Sequence, residues 1–134
     1  MIPTVNDTLT VDLNIESEPS NTYKLHIENN RIIGYCDDLE AMKQVVYKIL
    51  NTERYKFIIY SWNYGIETID LYGKSVTYVC SELPRRIKEA LLQDDRITSI
   101  DGFDFDTTQK RIVSVSFVVH TIFGDIDAEK VVNY

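Results

Sequence analysis

The chain is poor in the residues that most catalytic and metal-binding chemistry needs. It has two cysteines in 134 residues. Cys36 and Cys80 lack the spacing of a disulfide framework or a zinc site, and are expected as free thiols, buried or partly buried. Histidine is as scarce. His26 and His120 fall on different segments, without the spaced partners that a metal or catalytic role requires. Gly65, Gly73, Gly102 and Gly124 each stand alone, so no glycine-rich phosphate loop can form. No serine or cysteine sits in a nucleophile motif. Positive charge is short too: 14 Lys and Arg against 21 Asp and Glu give a net charge of -7. That balance removes the electrostatic footprint for nucleic acid and opposes binding to anionic membrane surfaces. No apolar run is long enough to span a bilayer, and MIPTVNDTLTVDL lacks the basic start and apolar core of a signal peptide. The expected compartment is the cytosol, at least during synthesis, and no cofactor is expected.

What is present is an ordinary globular composition, 44% hydrophobic and 26% charged, in one domain's length. A chain of this size buries roughly two-thirds of its unfolded surface and needs no staple. Nine tyrosines and one tryptophan are a generous aromatic load, compatible with assembly.

Residues 1–21 read as an extended polar arm ahead of a domain at 22–134. Val11, Leu13 and Ile15 alternate with polar residues as a short strand would; an arm and a frayed terminus fit equally. Thr22 to Tyr35 reads as a hairpin turning at Asn29-Asn30. Asp37 with Glu40 forms a capping-box signal before the helical stripe Leu39, Met42, Val45, Val46, Ile49 and Leu50. Tyr55 to Trp62 is apolar on both faces and predicts a central strand buried on both sides. Ile66, Ile69 and Leu71 suggest a short helical turn ended by Gly73. A second helix follows, with Val79, Leu83, Ile87, Ala90 and Leu91 on its apolar face and Arg85, Arg86, Lys88, Glu89 and Gln93 opposite. Pro84 either kinks it or opens a new helix behind Ser81. Strands are predicted at Ile97 to Phe105, Arg111 to Phe123 and Ile126 to Val132, the last with the charges of an exposed edge. The order predicts an α+β fold: a single domain with a largely antiparallel mixed sheet and two main helices packed on one side.

The helix-to-strand joint, Asp94-Asp95-Arg96, is the candidate partner contact. Arg96 can fork onto a carboxylate or onto unpaired helix carbonyls, given a rigid turn. The charged edge Ile126 to Val132, with Ile126, Ala128, Lys130 and Val132, can accept a strand from another chain. Asp101, Asp104 and Asp106 lack full calcium-loop spacing and read as solvent-facing strand acids. A carboxylate pair for glycoside hydrolysis could be assembled from Glu53, Glu67, Glu82 or Glu89, but acids are too common here to discriminate.

Two passages resemble a known family. Asn51-Thr52-Glu53-Arg54 resembles the T-x-x-G-E-R segment of the baseplate wedge, or sheath-initiator, proteins of contractile phage tails. Asp94-Asp95-Arg96-Ile97, after an amphipathic helix, resembles their E-P-R motif. The phrases LEAMKQVVYKILNTERY, YSWNYGIE, EALLQDDRITSI and VVHTIFGDI are those of the branch in PBSX-type defective prophages and phage-tail-like bacteriocins of Gram-positive bacteria. The likeness runs from about Tyr23 to Tyr134. It departs at Asp94 and Asp95, where the family has Glu and Pro, and in the missing Gly before Glu53. The resemblance implies a structural, non-enzymatic domain present as six copies around the tail tube. It would join baseplate wedge proteins to the first ring of tail sheath protein, with the tail tube or hub as a further partner. The turn Asp94, Asp95 and Arg96 would face the wedge, Glu53 and Arg54 would be further partner-binding residues, and the acceptor sheet would start sheath assembly by strand exchange. Some relatives are labelled lysozyme-like, so a peptidoglycan hydrolase is the competing class; an adaptor for a partner helix is the third.

Overall fold

The structure, a computed structural model, describes residues 20–134. The pattern at Val11, Leu13 and Ile15 lies outside them, as does nearly all of the expected arm. In chain order the elements are β1 (Thr22–His26), β2 (Arg31–Cys36), α1 (Asp38–Leu50), α2 (Val76–Leu91), β3 (Ile97–Asp106), β4 (Ile112–Thr121) and β5 (Gly124–Asn133). Short 3-10 turns occupy Ile27–Asn29 and Ile69–Leu71. β3, β4 and β5 form an antiparallel meander in that spatial order; β1 and β2 form a separate antiparallel hairpin. This is an α+β fold with its helices on one side of the main sheet.

β4 explains the layering. Its alternate residues Val113, Val115, Phe117 and Val119 are buried, whereas Ser114, Ser116, Val118 and His120 on the other face keep access to water. The buried row meets Met42, Val46, Ile49 and Leu50 of α1 and Val79, Leu83, Ile87, Ala90 and Leu91 of α2 in one core. α1 lies against β5 and α2 against β3 and β4. Each large aliphatic so buried contributes roughly 1.5–3 kcal/mol relative to exposure. The outer face carries Asp104, Asp106, Asp125, Asp127 and Glu129, all exposed, as a one-sided antiparallel sheet allows.

Local chemistry sets the boundaries. Asn30 takes a left-handed φ of 50° and donates its N–H to the Ile27 carbonyl, which closes the hairpin turn. Asp37 caps α1, but its carboxylate accepts from the Asp38 N–H, and Glu40 does not complete a capping box. Glu40 pairs instead with Lys24 of β1. Gln44 of α1 also reaches the hairpin: it donates to the Tyr23 carbonyl at 2.8 Å and accepts from the Leu25 N–H at 2.9 Å. α2 is continuous across Pro84 and is capped by Ser75, not Ser81.

The main correction concerns Tyr55 to Trp62. It is not a central strand but a loop of turns, with Tyr60 N–H bonded to the Phe57 carbonyl and Tyr64 N–H to the Ser61 carbonyl. Its apolar residues are not buried: Ile59 is 85% and Trp62 82% exposed, and Ile58 is fully so. The meander has no place for another strand between its members, so the run is left outside the core. Ladder pairing here is confined to one parallel bridge, Glu53 to Ile66, at the base of the loop.

Candidate functional site

The Asp94-Asp95-Arg96 corner is a tight turn closed by the Ile97 N–H on the Asp94 carbonyl at 3.1 Å. Within it Arg96 forks onto Asp94, with Nε to Oδ1 at 2.9 Å and Nη2 to Oδ2 at 2.7 Å. The Arg96 N–H adds a third bond to Asp94 Oδ1 at 3.0 Å, and Nη1 donates to Ser20 Oγ at 3.3 Å. The bonded Arg96 guanidinium holds the Asp94 carboxyl below its ordinary range, and Asp94 in turn raises Arg96. The fork on a carboxylate is therefore formed, but with a residue of the same turn. Asp95 remains exposed.

Glu53 and Arg54 stand at the base of the Tyr55–Trp62 loop. Glu53 Oε1 accepts from the Thr68 N–H at 2.7 Å and the Ile69 N–H at 3.1 Å; its Oε2 accepts from Thr68 Oγ1 at 2.6 Å. The carboxylate thus satisfies the first N–H groups of the Ile69–Leu71 turn. The Arg54 and Ile66 amides bond across the loop's neck, to the Ile66 and Thr52 carbonyls, each at 3.0 Å. The Arg54 side chain is 7% exposed and reaches Glu89 at 3.0 Å and Glu67 at 3.7 Å. Its Nε has no hydrogen-bond partner among the described residues.

Sequence reasoning placed Arg86 on the polar face of α2; it is buried, 6% exposed. Its guanidinium forks onto Asp70, with Nη2 to Oδ2 at 2.8 Å, and also bonds the Glu67 carbonyl and Glu82. These bonds raise Arg86, chiefly through Asp70, and Arg86 lowers Asp70. The only signal in the sequence was Arg86 lying one position before Ile87 of the stripe, so that a segment crossing the helix could cover it.

On β5, Ile126 and Val132 are buried and Ala128 and Lys130 half-buried, all facing α1. Lys130 Nζ donates to the Leu50 carbonyl at the end of α1 at 2.7 Å. Burial pushes its pKa down, and the nearby Glu53 opposes that shift. Any docking at this strand would therefore use its main chain and outward residues. Among the described residues no backbone bond reaches its outer edge.

Asp94 and Arg96 line a groove of about 470 Å³ with Lys48 of α1, Gln93, and Asn63 and Tyr64 from the foot of the loop. Glu53, Arg54 and the β5 residues are not part of it. Lys130 and Glu53 are brought together; the corner and β5 are not.

The carboxylates considered for hydrolysis are committed elsewhere. Glu53 holds Thr68, Glu67 and Glu89 meet Arg54, and Glu82 meets Arg85 and Arg86. Arg85 lowers the Glu82 pKa, opposite to the shift a general acid needs. Asp101 pairs with His120, and Asp106 accepts from the Thr108 N–H. Among the described residues no helix is long and apolar enough to cross a membrane, and no group of three or more His, Cys, Asp and Glu could hold a metal ion.

Residues 18–124 match the profile of the contractile injection system sheath initiator. The chain is also 42% identical over 128 residues to the phage-like element PBSX protein XkdS of Bacillus subtilis (strain 168), covering 90% of each chain.

Proposed function

This chain belongs to the contractile injection system sheath initiator family and is a structural component of a contractile tail; from that premise we propose that it joins the baseplate to the first ring of tail sheath. In this reading six copies surround the tail tube or hub in the baseplate, after assembly in the bacterial cytoplasm. The Asp94–Arg96 corner and the Glu53-Arg54 neck face the wedge proteins. The sheath protein adds a strand to β5. Residues 1–21 act as an arm reaching a neighbouring subunit, and 22–134 form the domain. No enzymatic step is involved.

The observation that carries the reading is the outer edge of β5. It is ten residues long and, among the described residues, hydrogen-bonded on one side only. Its inward residues are locked under α1, which fixes which face any added strand would continue. Main-chain pairing supplies affinity there, and outward Asp127, Glu129 and Val131 supply discrimination.

Amide hydrogen exchange tests it. In the isolated chain, the outward amides of Gly124–Asn133 should exchange fast. In purified particles containing the chain they should be protected at least tenfold. Equal exchange in both states would remove strand addition at β5.

A further inference from the structure

We propose that the Tyr55–Trp62 loop is a second docking element, which inserts against an amphipathic helix of another tail protein whose apolar stripe is flanked by carboxylates. The proposal rests on the reading of the chain as a tail component, but uses a surface that reading does not need.

The loop exposes Tyr55, Ile58, Ile59 and Trp62 side by side, a concentration of large apolar groups that marks an interaction site. It is built to hold them there. The neck bonds between Thr52, Arg54 and Ile66 close its base, and the Glu53 carboxylate locks the start of the Ile69–Leu71 turn beyond it. Tyr55 meets Trp62 edge-on with centroids 6.0 Å apart, Phe57 meets Tyr60 at 6.1 Å, and Tyr60 stacks on Tyr64 at 4.5 Å. Rings fixed in advance lose little freedom on binding, as anchor residues should.

The geometry selects the kind of partner. The main chain is curled into turns and presents no extended edge, so contact must come from side chains. Between Tyr55, Phe57, Ile58, Tyr60 and Trp62 lies an apolar hollow of about 260 Å³, open to a side chain from the partner. Charge selects further. Lys56 is the single ionisable charge from Tyr55 to Ile66, and no carboxylate stands there, in a chain of net charge -7. Arg54 lies beneath Tyr55, 6.0 Å from its ring, but is already paired with Glu89 and Glu67, so the charge the loop offers a partner is Lys56. A complementary face is therefore apolar with acidic neighbours. Among the described residues a second copy offers no such helix, and its exposed Ile32, Ile33 and Tyr35 lie on a strand. Its helices spend their apolar stripes in the core, and its outer sheet face alternates acids with serines.

The test places benzoylphenylalanine at Ile58 in the full chain, expressed with the remaining tail proteins. Irradiated particles should yield one cross-link, to a helical segment of a different tail protein with Asp or Glu beside the attachment point. Cross-links to a second copy, to residues 1–19 of the same chain or to lipid would overturn the proposal, as would particles that contain the chain and give none. In parallel, the Ile58→Asp/Ile59→Asp variant should stay folded and enter particles at least tenfold less than wild type. Incorporation at the wild-type level would overturn the loop proposal alone. Absence of the wild-type chain from particles would overturn both it and the assembly reading.

Discussion

The corner at Asp94–Arg96 and the loop at Tyr55–Trp62 flank the same groove and could hardly be treated more differently. The corner is polar, and nearly every polar group in it is satisfied within the chain: Arg96 by Asp94 and Ser20, Asp94 by Arg96. The loop is apolar, and its apolar groups face water. A saturated ion pair has little left to offer a partner, whereas unburied aromatics retain most of their hydrophobic free energy. Burial of a side chain such as Ile58 is worth roughly 1.5–3 kcal/mol, against about 0–1 kcal/mol for an exposed ion pair. By that measure the larger free energy left unrealised lies in the loop, not in the corner.

The contrast breaks most severely at Gly65. Its φ is +97°, and a Cβ there would stand 2.6 Å from the Thr52 carbonyl oxygen, the acceptor of the Ile66 N–H. Gly65→Ala combines a disfavoured backbone with a clash against main chain. It should cost about 2–4 kcal/mol, read as a shifted urea midpoint. Amide exchange should rise across residues 51–72 first. An unchanged midpoint would mean the loop is not pinned at its neck.

How far the sequence foretold this architecture depends on where each residue's partners lie. The α1 and α2 stripes, the Asn30 turn and the β4 alternation follow from local periodicity, and the structure has them. Tyr55 to Trp62 misled because an apolar run says only that something covers it. A strand buried in the sheet and a loop with its apolar residues exposed share one pattern. Arg86 was missed for a related reason: its burial comes from Asp70 and Glu67, which reach α2 across a loop. At the corner the sequence leaves open whether Arg96 forks onto a carboxylate or onto helix carbonyls; in the structure it forks onto Asp94. The alternation on β5 could not tell an edge that offers side chains from one that offers main chain.

The next largest effect is at the Arg86–Asp70 pair, which holds the far limb of the loop to α2, and it is asymmetric. Asp70→Ala strands a buried guanidinium with only Glu82 and the Glu67 carbonyl, and should cost about 2–3 kcal/mol. Arg86→Met leaves Asp70 in water and refills the site with an apolar chain, and should cost about 1 kcal/mol. Chemical denaturation of both variants measures the difference. Equal losses would mean that the pair's worth lies in the attraction itself, not in avoiding a stranded charge.

The smallest effect is a pH dependence of opposite sign at two polar positions, His120 and Asp94. His120 on the outer face bridges neighbouring strands, with Nδ1 2.7 Å from Asp125 and Nε2 2.9 Å from Asp101. Its bonds to Asp125, then to Asp101, raise its pKa above the ordinary 6.5. A group raised on folding binds its proton more tightly when folded. Its contribution is therefore complete below 6.5 and fades as pH climbs through the raised value. Asp94 runs the other way: its pKa is lowered from 3.8, so its contribution is present above 3.8 and fades as pH falls through the lowered value. In melts from about pH 5.5 to about pH 9, wild type should exceed His120→Gln at the acid end, and the gap should close with rising pH. A gap of constant size would mean that His120 acts by shape and hydrogen bonding alone, with no charge involved.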